Sequence, residues 1–184
     1  MTTTPPQDSI ATAAGQFRQG MRALVGGVTV VGALDSAGTP VGLTATAVTS
    51  LSSEPPSLLV CVNRQTTLAA ALCAESIFSV NVLAADQSEI SKAFGGQLGI
   101  HGPERFAYGD WRRAHDSGVP LLSGCRVSFE CRVAHVHDWA THHVVIGSVL
   151  AIHFFKPEAK PLAYCDGAYQ TVAPIAPLTA RKPA

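Results

Sequence analysis

The sequence predicts a mainly β fold, a small β-barrel or closed antiparallel sheet with short peripheral helices. Three observations carry that reading. Short β-branched runs bounded by turn residues recur along most of the chain, the few helical patterns sit at the connections between them, and no internal repeat is present. A doubly wound parallel sheet would need longer helices in regular alternation. The 184 residues suit one domain, which at this size buries roughly 70% of the surface of its unfolded chain.

Residues 1–8 are rich in Thr and Pro and are expected to form a tail, with the folded domain over 9–173 and a second tail over 174–184. Ser9 can cap a helix in which Ile10, Ala13, Phe17, Met21 and Leu24 recur at intervals of three and four along one stripe, ended by Gly26 and Gly27. The pattern then turns to strand: 28–34, a turn at 35–38 and 41–48 read as a hairpin, and Pro55 and Pro56 close the next loop. Residues 57–62 read as a buried strand, 66–73 as a short alanine-rich helix, 77–83 as a strand and 86–94 as a second short helix. From 95 to 124, scattered glycines, charges and aromatics predict a long loop with little regular structure. Strands resume at 127–137 and at 143–154, the second interrupted by Gly147, and 162–165 is a short last strand.

Composition removes several classes of function. Thirteen Lys and Arg balance thirteen Asp and Glu without a block of either sign, so nucleic acid and anionic membrane surfaces are not expected partners. Aliphatic runs such as 58–62 fall far short of the roughly 20 residues needed to cross a bilayer. The first residues carry neither a basic segment nor an apolar run, and a cytoplasmic location is the expectation. Five scattered cysteines, Cys61, Cys73, Cys125, Cys131 and Cys165, without C-x-x-C spacing, are expected to be buried free thiols. With 47% hydrophobic but 14% charged residues, part of the surface is expected to lie in a subunit interface.

The signatures G-x-S-x-G, H-E-x-x-H, G-x-x-x-x-G-K and a strand-linked G-x-G-x-x-G are absent, which excludes the nucleophile elbow, the zincin site, the P-loop and the Rossmann turn. The informative stretch is 42–62. On a strand, Gly42, Thr44 and Thr46 share one face and Val41, Leu43, Ala45 and Ala47 the other, so one side is small and hydroxylated. Such a face admits a flat ligand against the backbone, and it also fits an ordinary half-exposed threonine-rich strand. Beyond it, Arg64, Thr66 and Thr67 open a short helix where hydroxyls and free N–H groups suit a phosphate or simply cap the helix. His135, His137, His142 and His143 have no carboxylate or cysteine at a familiar ligand spacing except the lone Asp138, so no metal site is expected. His142, at a turn between strands, is either a ligand-facing donor or a plain turn histidine.

The segments beginning at Phe17, FRQGMRALVGGVTVVGA, at Gly42, GLTATAVTSLSSEPPSLLVCVNRQT, and at Phe78, FSVNVLAADQ, together with H-x-x-x-x-G-x-V from His142, resemble the flavin reductase family. These are the small reductase components of two-component flavin-dependent monooxygenases, and the resemblance extends over 9–172. It implies an FMN-binding split β-barrel that reduces FMN or FAD with NADH or NADPH and delivers the reduced flavin to a monooxygenase component, and it implies a homodimer. Thr44, Ala45, Thr46 and Ala47 then match the isoalloxazine wall, with Ser50 nearby and Cys61, Val62 and Asn63 continuing it. Thr67 matches a phosphate-side position and Phe94 an aromatic near the flavin tail, while His142 and Tyr169 match positions of nicotinamide access. Many members carry Gly-Asp before that histidine, whereas this chain has Ala140 and Thr141 before it and His143 after it. By strand alternation His143 faces away from His142 and is expected to be a silent neighbour. Hydride passes from nicotinamide C4 to flavin N5, so no acid–base residue is needed. Two other readings keep the fold: a split-barrel oxidoreductase with tightly held flavin acting on another small substrate, and a non-enzymatic flavin- or haem-binding module.

Overall fold

A computed structural model describes residues 7–175, with side chains from residue 13 onward. Helix α1 spans Gln7–Arg22. It therefore starts ahead of the expected cap at Ser9 and takes in two residues of the expected tail; the rest of that tail, and residues 176–184, lie outside the described residues. The strands are β1 Gly26–Gly27, β2 Thr29–Leu34, β3 Pro40–Ala45, β4 Val48–Ser53, β5 Pro56–Asn63, β6 Ile77–Val82, β7 Trp111–Arg113, β8 Pro120–Leu122, β9 Val127–Trp139, β10 His142–Phe154, β11 Leu162–Cys165 and β12 Ala168–Thr171. Helices α2, Thr67–Ala71, and α3, Ser88–Phe94, sit between them.

Seven strands form one antiparallel sheet in the order β3-β2-β6-β9-β10-β5-β4. Its two edge strands, β3 and β4, are consecutive in the chain and joined only by Thr46 and Ala47. A flat sheet cannot bring its opposite edges that close, so this one curls into a barrel that is incompletely closed. The expected single strand over 41–48 is accordingly broken at 46–47, where the chain passes from one edge of the sheet to the other. The Cys61 N–H donates to the Ala47 carbonyl at 3.0 Å and holds that corner to β5.

Inward residues alternate along each strand, and Val31, Val60, Val62, Phe78, Val80, Cys131, Val133 and Val145 form the buried interior with Leu68 and Leu72 of the α2 region. Gly147 interrupts β10 because Phe78 occupies its place: a Cβ there would lie 2.5 Å from Phe78 Cζ. The ladder shifts register at that point. Burial pushes the Cys131 thiol up to about 12, so it stays protonated. The five cysteines are free, but only Cys125 and Cys131 are fully buried; Cys73 is exposed and Cys61 and Cys165 are half-buried, which corrects the expectation that all would be interior.

The segment 95–124 has more structure than its weak periodicity predicts. It contains a 3-10 turn over Gly102–Ala107 and the hairpin β7–β8. Strands of three residues are too short to show a period. A second core on the outer face of β2 and β6 gathers Val28, Val30, Leu83, Phe94 and Leu122, and there Phe94, Phe106 and Trp111 pack mutually with ring centroids 4.9–5.2 Å apart. The stripe on α1 behaves differently, because Phe17 and Met21 remain 68% and 48% exposed.

Candidate active site

β3, the end of β5, α3 and the β9–β10 turn enclose an open cavity of about 360 Å³, within the size range of small-molecule sites. Glycine and threonine make this possible. A Cβ on Gly42 would lie 2.9 Å from the Val31 carbonyl oxygen and 3.1 Å from the Phe94 ring, so only glycine lets that ring lie against β3. Thr44 Oγ1 donates to the Ser91 carbonyl at 2.7 Å and ties the strand to α3. An edge strand leaves every second N–H and C=O without a strand partner. The Gly42 carbonyl accepts from Arg105 Nη1 at 3.2 Å, and the period of two puts the backbone groups of Thr44 on that same open side.

Thr44, Ala45, Thr46, Ala47, Cys61, Asn63, Phe94 and His142 all line this one cavity. Four expected residues do not. Val62 is fully buried inside the barrel, on the other face of β5 from Cys61 and Asn63. Ser50 lines a separate groove with Val48 and Ile152. Thr67 is exposed, and it is the preceding Thr66 that reaches the cavity, its hydroxyl donating to the Asn63 carbonyl at 2.8 Å and accepting from the Ala69 N–H as the cap of α2. Tyr169 borders an adjoining pocket that shares Thr44, Thr46 and Gly95 with the cavity, and its hydroxyl donates to Ser91 Oγ at 2.9 Å.

The cavity wall also holds Arg105, Gly95 and Gly96, which the sequence reading did not single out. Arg105 is the one permanently charged side chain among the described residues lining it, and its Nε donates to the Ile100 carbonyl at 3.0 Å, which fixes the head group. It arrives on the 3-10 turn of the supposed loop, where only Pro103 at the turn's start marks any local order. His142 is exposed, with Nδ1 hydrogen-bonded to Thr141 Oγ1 at 2.8 Å, and its register partner on β5 is Asn63. No group of three or more His, Cys, Asp and Glu among the described residues is placed to hold a metal ion.

The family described as "Flavin reductase like domain" matches residues 21–173, and the chain belongs to it. It is 40% identical to the reductase component of the FADH(2)-dependent resorcinol hydroxylase of Rhizobium sp. (strain MTP-10005), over 86% of this chain and 87% of that one. An FMN reductase (NADH), RutF 1, of Methylorubrum extorquens (strain PA1) is 35% identical over 100% of this chain and 88% of its own. Among solved structures, the NADH:FAD oxidoreductase SgcE6 of Streptomyces globisporus C-1027, in complex with NAD and FAD fragments, superposes with a TM-score of 0.79 at 28% identity, covering 96% of this chain and 100% of that one. The mainly β, split-barrel expectation and the family resemblance agree with these findings.

The residues present fit a flavin. Thr44, Ala45, Thr46 and Ala47 line the space beside β3, the open edge of that strand offers hydrogen-bonding groups to a ring edge, and Arg105 offers a cation to a phosphate.

Proposed function

We propose that this chain is an NAD(P)H:flavin oxidoreductase that takes FMN or FAD as a diffusible substrate and supplies reduced flavin to a separate monooxygenase. The carrying observation is a cavity walled mainly by small side chains and strand backbone, with one fixed cation and no carboxylate among the described residues that line it. Flavin held there supplies the hydride-accepting chemistry, so the protein's task is alignment. Thr44, Ala45, Thr46 and Ala47 provide the flat wall, Cys61 and Asn63 extend it, Phe94 closes it from behind and Arg105 fixes the anionic tail. His142, facing the cavity from the β9–β10 turn, donates to the nicotinamide carboxamide or ribose, with Tyr169 flanking the approach.

A preparation that is colourless after gel filtration and oxidises NADH or NADPH only when FMN or FAD is added is the expected result. A yellow protein that keeps its flavin overturns the diffusible-flavin reading. His142→Ala should raise the nicotinamide KM roughly 5- to 30-fold, the loss of one hydrogen bond, and leave flavin affinity nearly unchanged. A fall in kcat of roughly 100-fold with a titrating pH profile would instead mark a proton-transfer role.

The assembly we assign is a homodimer. Phe17, Met21, Leu24 and Val25 stand 68%, 48%, 61% and 63% exposed and border a groove that shares Thr46 and Ala47 with the cavity. A second copy covering that face would bury an apolar stripe that one chain leaves in water. Sedimentation at micromolar concentration should show a dimer; a stable monomer refutes it. No helix among the described residues is long and apolar enough to cross a membrane, and a cytoplasmic setting supplies NAD(P)H and keeps the free thiols reduced.

A further inference from the structure

Beneath the β9–β10 turn lies a triad of polar side chains outside the cavity, Arg64, Asp138 and His143. In register, His142 on β10 stands between Asn63 and Trp139, and the next row places His143 between Val62 and Asp138. Alternation therefore puts His142 on the cavity side and His143 on the opposite face with Asp138. His143 is not idle there. Its side chain is only 19% exposed and its Nδ1 donates to Asp138 Oδ1 at 2.6 Å. The second carboxylate oxygen, Asp138 Oδ2, lies 3.8 Å from Arg64 Nη2. Arg64 in turn donates from Nη1 to the Ala140 carbonyl at 3.4 Å and from its backbone N–H to the Thr141 carbonyl at 3.0 Å.

The turn needs such support. Ala140 has φ +47°, in the left-handed region that costs a residue with a Cβ and persists only where surroundings enforce it. Thr141 and His142 follow, and the His142 ring is the one expected to meet the nucleotide. We propose that Asp138, hydrogen-bonded by His143 on one oxygen and facing Arg64 at ion-pair distance on the other, is the positioning group of this turn, and that the triad sets nicotinamide affinity by holding His142 toward the cavity. This rests on the placement of the nucleotide at His142 argued above. It replaces the expectation that His143 is silent.

Steady-state kinetics of the full chain with free flavin and NADH or NADPH tests it in Asp138→Ala, His143→Ala, their double variant and His143→Asn, with His142→Ala as the reference. Each single alanine variant should raise the nicotinamide KM about fivefold, the effect of one lost hydrogen bond, with kcat and flavin KM within about twofold of the parent. The double variant should be no worse than Asp138→Ala alone, because that variant already removes the contact that His143→Ala breaks. His143→Asn keeps an N–H donor near the Nδ1 position and should restore KM to within about twofold. If His143→Ala fails to fold, Asp138→Ala, at a carboxylate 56% exposed, decides by the same criteria. An unchanged nicotinamide KM in Asp138→Ala and His143→Ala, alongside a raised one in His142→Ala, overturns the triad and leaves the nucleotide placement standing. If all three are unchanged, the placement fails and the triad's role fails with it. An equal rise in flavin KM, with a lowered melting temperature, means the triad only supports the fold.

Discussion

Thr46→Trp should yield a folded protein that no longer binds flavin, its apparent affinity weakened roughly 100-fold or more, the effect expected when an indole occupies the volume a ring system needs. Thr46 stands at the junction of three spaces: the main cavity, the groove toward α1 and the pocket beside Tyr169. It lies just past the end of β3 and is exposed, so an aromatic there disturbs no interior packing. Its Cβ is close enough to Gly26 that a Cβ on that glycine would sit 2.8 Å away, which bars the new side chain from the Gly26 direction. Thr46→Ser, which keeps the hydroxyl and the small volume, should bind flavin within about threefold of the parent. Flavin quenching titrations, with circular dichroism to verify the strands, make the measurement. A folded Thr46→Trp protein with parental flavin affinity would mean that the ring does not lie against this strand end.

What could be read from the chain follows the range of the forces involved. The 28–34 strand, the 162–165 strand and the turn before His142 are local events, set by β-branching and turn residues within a few positions, and they appear in the structure close to where periodicity puts them. The small-residue character of β3 is equally local. Arg105 was not legible, because its guanidinium reaches the cavity through the Gly42 carbonyl, 63 positions earlier in the chain, and no spacing rule connects the two. The same holds for the break at 46–47. Apolar and hydroxyl residues continue through it without a turn signal, and only the need to connect opposite edges of the curled sheet ends the strand there. The α1 stripe was legible as a pattern, but within this single chain Phe17 and Met21 stay exposed, so the pattern alone did not say what the stripe packs on.

The largest loss of stability is expected from Asn81→Ala. Asn81 is fully buried on β6, and both ends of its amide are used. Nδ2 donates to the Val30 carbonyl and to Ser79 Oγ, each at 3.1 Å, while Oδ1 accepts from the Leu122 N–H at 2.9 Å and from Ser128 Oγ at 2.6 Å. Truncation leaves these buried partners short of hydrogen bonds, each worth roughly 1–3 kcal/mol, and opens a small void as well. With local relaxation the total should be about 4 kcal/mol, or a fall in Tm of roughly 8–16 °C for a domain of this size. The damage should also reach the active site. The Leu122 contact pins β8 to β6, β8 pairs with β7, and Trp111 of β7 packs on Phe94 at the back of the cavity with centroids 5.2 Å apart. At temperatures where the variant is still folded, its flavin KM should therefore rise several-fold while the nicotinamide KM changes less, since the β9–β10 turn hangs on β5. Thermal unfolding followed by kinetics at 20 °C below the variant's own midpoint separates the two effects. A Tm within about 2 °C of the parent would show that water or a neighbouring hydroxyl takes over the amide's contacts, and that Asn81 does not bear the strain of holding β8.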